Sequence, residues 1–354
     1  MDRISLNEDV FLGPKVELHV HLNGCFRHET LFDLSKKKNR PISGCATLVD
    51  LKKRCIIREP KNLSHFLDAY ELGYDYFAGD LEAIERLAYE FCEDSKRSNV
   101  IYSEVRYSPH RLVGVGFREK YDLQGLLDVT SQVIKGLKRG ERDFGVRCKS
   151  ILSGHSWLPE LLSDLIKVCQ NFRDDIVGID LVSQEYSAEA PAVPLLISLY
   201  GEAKRLGFGT TIHAGEASGP TAIQRAVEIY GTQRVGHGYH VVKDKTIYQK
   251  CLRDQVHFEC CPWSSFLTGA VPFDIGTHPI KQFAMDGANF SINSDDTTIT
   301  GFTLDGDYSL AHSWGLTLEQ MKQTNLNAAK AAFLPDVEKK ELIKQLMEAY
   351  RQSY

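Results

Sequence analysis

Nowhere in the 354 residues do apolar positions run on towards the ~18 that a membrane span needs. The chain opens Met1-Asp2-Arg3, with no basic stretch leading into an apolar one, so no secretory signal is expected. Its nine cysteines include no Cys-x-x-Cys pair and follow no regular spacing, and Cys260 and Cys261 are adjacent. That argues against a disulfide framework and points to reduced thiols in a cytoplasmic protein. There is no excess of either charge: 42 basic and 47 acidic residues give a net charge of -5. Neither nucleic acid nor an anionic membrane is expected as a partner. No internal repeat, low-complexity segment or compositional break divides the chain, which reads as a single domain over 1–354. What is present, 43% hydrophobic and 25% charged residues, suits a globular protein with ample core.

Strand-like runs recur at 16–22, 100–109, 146–155, 176–182, 209–216, 234–240, 256–265 and 288–296. Amphipathic helical runs lie between most of them, for example at 158–172 and 193–207. Eight strand-then-helix units predict a closed parallel (β/α)8 TIM barrel of the α/β class. An open doubly wound sheet would want G-x-G-x-x-G after an early strand, and "HLNGCF" is not that. The long gap at 23–99 predicts extra helices inserted after the first strand, at the rim where barrel sites are built. In it, Leu63, Phe66, Leu67 and Tyr70 share one helical face, either packed on the barrel or forming a lid over its mouth. The run at 336–350 predicts a C-terminal helical tail, and "SKKKNR" at 35–40 a solvated loop.

In "VELHVHL", alternation along a strand puts Glu17, His19 and His21 on one face and Val16, Leu18 and Val20 on the other. Two imidazoles on one side of one strand can ligate a metal, although H-x-H alone is a weak signal. Other strand ends strengthen it: "IHAGE" carries His213 and Glu216, "GHGYH" carries His237 and His240, and "NSDD" carries Asp295 and Asp296. His19, His21, His213 and an acid form a borderline-soft set that suits zinc better than magnesium or calcium. His240 reads as structural, His155 as marginal to the pocket, and the "ECCPW" cysteines as buried thiols rather than ligands.

Taken together, "PKVELHVHLNG", "EVRYSPH", "HAGE", "RVGHGYH", "FECCPWSSFLTGA" and "SINSDD" resemble the adenosine deaminases of the metal-dependent amidohydrolases, in order, from about residue 10 to 345. The resemblance implies one Zn2+ per chain held by His19, His21, His213 and Asp295. It implies a hydrolase that converts adenosine and 2′-deoxyadenosine to inosine and 2′-deoxyinosine plus ammonia, in purine salvage. Glu216 would protonate purine N1, His237 would take the proton of the attacking water, and Asp296 would bond N7. His21, Asn23, Ser183, Leu63 and Phe66 would complete the contacts to a small-molecule purine nucleoside, and the enzyme would act as a monomer.

Two departures bear on substrate. The family pattern H-L-D-G reads H-L-N-G here, so Asn23 replaces the carboxylate that reads the ribose 5′ hydroxyl. In the fourth strand's loop, Ser183 stands where the family has glycine. Both leave the metal and acid residues intact. They keep open a 5′-altered substrate such as AMP, N6-methyl-AMP or 5′-methylthioadenosine. Beside "HLNG" in the chain, Arg27 is the single basic residue that could meet a phosphate.

Overall fold

A computed structural model describes residues 8–68, 70–114, 121–182, 193–272 and 277–352. Ser183 lies outside them. Eight strands follow one another around a barrel: β1 (Lys15–His21), β2 (Val100–Tyr107), β3 (Arg147–His155), β4 (Ile176–Val182), β5 (Gly209–Ala214), β6 (Arg234–His237), β7 (His257–Cys260) and β8 (Phe290–Ile292). Each pairs in parallel with the next. The ring closes just beyond β8, where the His21 N–H donates to Asp295 O at 2.8 Å and the Asp295 N–H to His19 O at 3.1 Å.

The four last strands stop short of the predicted ends, for local reasons. After β5 and β6 the chain turns through Gly215 (φ 77) and through His237 and Gly238 (φ 61 and 76). After β7, Pro262 opens the helix Pro262–Leu267, a position that suits its fixed φ and missing N–H. After β8, Asp295 itself adopts φ 64. The reading of β1 also needs correction. Its pairing with β2 slips between Glu17 and Val20, and the N–H groups of Leu18 and His19 both donate to Asn293 Oδ1. Such a bulge breaks the alternation of side chains. Glu17 therefore lines a separate cavity with Val20, away from the histidines.

The insertion after β1 holds α1 (His28–Lys37), α2 (Leu48–Cys55), α3 (Leu63–Leu67), α4 (Tyr70–Phe77) and α5 (Leu81–Arg97). Thr47, Asn62 and Asp80 start α2, α3 and α5 by accepting from backbone N–H groups of the first turn. Ser35–Lys37, expected in a loop, instead close α1, where Lys36 and Lys37 complement the helix dipole. The other two sequence-predicted helices appear as Leu161–Asn171 and Pro194–Arg205. The tail is the helix Asp336–Gln352, and its Tyr350 hydroxyl donates to Pro14 O at 2.7 Å, next to the start of β1.

Inside the barrel the filling is ionic. Arg106 and Arg234 are fully buried, and both donate to Glu259, at 2.6 and 2.7 Å. Arg234 also pairs with Glu104 at 2.5 Å. Phe333 packs on Arg234 at the strands' N-terminal ends, with Arg234 Cζ 3.7 Å from the ring centroid. Gly209 makes room for it, because a Cβ there would lie 2.1 Å from Phe333 Cγ. The bottom is thus plugged, and the open end is the C-terminal one. Among the described residues no helix is long and apolar enough to cross a membrane.

Candidate metal centre and pocket

His19, His21, His213 and Asp295 converge at the seam where the barrel closes. His21 Nε2 lies 3.2 Å from His213 Nε2, and Asp295 Oδ1 lies 3.3 Å from the Nε2 atoms of both His19 and His21. Four donors set tetrahedrally at 2.0–2.1 Å from one ion stand about 3.3–3.4 Å apart. The observed separations match that edge. His19 Nε2 is also buried with no hydrogen-bond partner, which is costly unless something else satisfies it. The residues present therefore fit a divalent, borderline-soft ion.

The donor atoms are aimed from behind. His19 Nδ1 is 2.7 Å from Glu259 Oε2 and His213 Nδ1 is 3.1 Å from Asp180 Oδ1, which directs each Nε2 towards the centre. Burial opposes the charge on Glu259, but Arg106 and Arg234 hold its carboxylate well below the usual range. Burial keeps the His21 imidazole neutral, its pKa well below the ordinary value, as a ligand requires. The Ser264 hydroxyl donates to Asp295 Oδ2 at 2.7 Å. Cys261 shares the neighbourhood of His19, His237 and Asp295. However, burial pushes its thiol well up and its S–H points to Glu259 O, so it makes a poor ligand.

A pocket opens over this centre. The sequence-predicted residues His21, Asn23, Leu63, Phe66, His213, Glu216, His237, Asp295 and Asp296 all line it. His19, deeper, sits behind them with 0% exposure. Burial, with the Asp295 charge adding to it, pushes the Glu216 carboxyl up to about 7. Glu216 Oε1 accepts from the Thr268 hydroxyl at 2.6 Å, and its Oε2 lies 3.4 Å from His237 Nε2. On the other side of that ring, Nδ1 is 3.3 Å from Ser265 Oγ. His237 and Asp295 are two of five non-glycine residues with positive φ among those described, and strain of this kind concentrates at functional sites. Gly24 lets Asp296 approach the turn after β1, since a Cβ there would lie 1.8 Å from Asp296 Oδ1.

Sequence reasoning missed part of the wall. His155 lines the pocket after all, its ring tilted against Trp157 and its Nε2 3.2 Å from Ser108 Oγ. Thr268, Tyr74, Glu71 and Arg111 line it too. Arg27, the basic residue nearest Asn23 in the chain, is absent from this pocket: it binds Glu93 and Asp94 and lines the second cavity. His240 is structural as expected, its ring nitrogens 2.7 and 2.8 Å from the carbonyls of Ser218 and Ala270.

Comparison with known proteins accords with this geometry. The family model "Adenosine deaminase" matches residues 14–349. The chain is 41% identical to the adenosine deaminase of Xenopus laevis over 352 residues, covering 98% of both chains. A zinc-bound amidohydrolase from Burkholderia ambifaria shares the fold, with TM-score 0.83 and 24% identity over 99% of this chain and 96% of that one. So does the N6-mAMP deaminase of Arabidopsis, with TM-score 0.79 and 23% identity over 96% and 99%. This chain is a member of the adenosine deaminase family and a hydrolytic deaminase.

Proposed function

We propose that this chain holds one zinc ion on His19, His21, His213 and Asp295 and converts adenosine and 2′-deoxyadenosine to inosine and 2′-deoxyinosine, releasing ammonia. The observation that carries the reading is the placement of a carboxyl raised to about 7, Glu216, and an imidazole, His237, over a four-donor metal cradle in one pocket. When bound, the ion supplies Lewis acidity that makes water a usable nucleophile near neutral pH.

Glu216 enters the reaction protonated and gives its proton to purine N1, which makes C6 electrophilic. The Thr268 hydroxyl orients that carboxyl. His237 Nε2 takes the proton of the water that attacks C6, with Ser265 beside its Nδ1. C6 then carries both OH and NH2; His237 passes the proton it took to the amino group, the C6–N bond breaks to release ammonia, and the C6 hydroxyl returns a proton to Glu216 as the C6=O of inosine forms. Purine N7 is an acceptor, so Asp296 must present a proton to it. Leu63 and Phe66, both buried, come down from the inserted helix α3 and exclude water from the purine face. Asn23 faces the sugar from the turn after β1. A monomer suffices, because one chain supplies all of these residues, and the cytoplasm is the compartment that fits the reduced thiols.

One observation favours a second reading, a 5′-altered adenosine as substrate: the pocket residue at 23 is an uncharged amide. The test is a parallel assay of ammonia release from adenosine, AMP, N6-methyl-AMP and 5′-methylthioadenosine. Adenosine should give the highest kcat/KM; an outright lead for AMP or N6-methyl-AMP would overturn the main reading. The Asn23→Asp variant should disfavour 5′-methylthioadenosine relative to adenosine, by about threefold in kcat/KM, roughly the worth of one modest polar interaction. An unchanged or higher ratio would mean that Asn23 does not face the 5′ position.

A further inference from the structure

One charged pair in the pocket has no part in the deamination chemistry. Arg111 lies on the helix Pro109–Val113, which follows β2, and its Nη2 sits 2.5 Å from Glu71 Oε1. Its guanidinium also stacks over the Tyr74 ring, 4.1 Å from the centroid. All three residues line the pocket, and Arg111 is the only arginine or lysine among the described residues that do. Glu71 and Tyr74 belong to α4, which packs against both the Arg111 helix and the turn Leu22–Gly24 that carries Asn23. Asn23 and Arg111 therefore stand on one sector of the rim, above β1 and β2.

We infer that Arg111 reads an anionic substituent on the sugar of the bound purine nucleoside, and that Glu71 is the counter-ion it gives up to do so. The inference rests on the purine-nucleoside reading of the pocket and names the residues that set its tolerance for charge. A guanidinium stays charged at every working pH, and its planar fork matches the oxygens of a phosphate. Its present partner is easily displaced: the Glu71 side chain is 67% exposed, against 18% for Arg111, and such solvent-screened pairs contribute little. Tyr74 holds the guanidinium in place by a cation–π interaction when Glu71 swings away. Asn23 adds no negative charge that would repel the incoming anion. With a neutral sugar the pair closes on itself and leaves no buried charge unpaired, so one pocket admits both kinds of ligand. An anionic ligand competes with Glu71 for Arg111.

Binding to the metal-loaded enzyme tests this, with inosine 5′-monophosphate and inosine as probes in titration calorimetry. The quantity read is the Kd of inosine divided by that of the monophosphate. The ratio should rise about two- to threefold in Glu71→Gln, the worth of one solvent-screened pair, and fall about tenfold in Arg111→Leu, the scale of one charge-assisted hydrogen bond. Arg111→Lys should fall between wild type and Arg111→Leu. Ratios that stay put in both Glu71→Gln and Arg111→Leu, or a parallel change for both probes, would overturn the inference. Glu71→Gln alters an exposed side chain and keeps the test independent of any folding defect in Arg111→Leu. Because product binding is read rather than turnover, shifted ratios in an enzyme that fails to deaminate adenosine would uphold this inference and refute the catalytic reading. Wild type that binds neither probe would refute the purine pocket, and this inference with it.

Discussion

The floor and the mouth of the pocket are built in opposite ways. The floor is made of strand ends: His19, His21, His213 and Asp295 project from β1, β5 and the seam after β8, each 8% exposed or less. Behind them Glu259 and Asp180 are clamped by Arg106, so moving one of these side chains would uncover a buried charge. The mouth is made of the inserted helices and the short helix Pro109–Val113 after β2. There Leu63 and Phe66 offer apolar cover, and Arg111 is held by a Glu71 side chain that is largely open to solvent. A displaced side chain costs little at the mouth and a great deal at the floor. On the proposed function, the contrast gives reaction chemistry to the floor and substrate choice to the mouth.

The largest effect should come from the floor. Asp295→Ala removes a ligand at the seam where the barrel closes, so metal should be lost. Turnover of adenosine should fall by ~10³-fold or more, since the ion's contribution amounts to several kcal/mol. Next is Glu216→Gln, which should keep metal and still bind inosine while kcat drops ~10²–10⁴-fold, the usual scale of acid–base catalysis. Near-normal turnover in that variant would give the proton transfer to another group. Glu259→Gln tests whether the floor is held from behind: metal affinity, measured by competition with a chelator, should weaken ~10–100-fold. A wild-type affinity would make the ionic core structural only. At the mouth the effect should be smaller and of another kind. Phe66→Ala should raise KM about tenfold, because apolar cover over the purine is removed, and leave kcat within a few-fold. If kcat collapsed instead, the division between the two regions would be wrong.

The sequence made the barrel legible because each strand–helix unit carries its own periodicity, from "VELHVHL" through "ANFSINSDD". The converging donors His19, His21, His213 and Asp295 were legible because histidine and aspartate at strand ends are expensive and need a reason. Strand ends were harder: Gly215, His237 and Asp295 turn the chain by positive φ, which composition does not announce in a histidine or an aspartate. Glu17 was misplaced because a bulge at Leu18 and His19, fixed by Asn293 from the far end of the chain, shifts the alternation. The ionic core was missed for a related reason. Glu104, Arg106, Arg234 and Glu259 are spread over β2, β6 and β7, and only the closed barrel makes their charges neighbours. The alternation of Glu104 and Arg106 in "SEVRY" was the available signal. Thr268, Tyr74 and Arg111 reach the pocket from helices or their ends, and their approach depends on tertiary packing rather than local pattern.

The most direct test of the central claim is the metal content of the purified chain, followed through chelation and reconstitution with adenosine turnover read at each stage. One zinc per chain should be found, activity should vanish with its removal and return with one equivalent added back, and Asp295→Ala should neither hold the ion nor recover. Full turnover in metal-free protein, or activity that needs two ions per chain, would contradict the account.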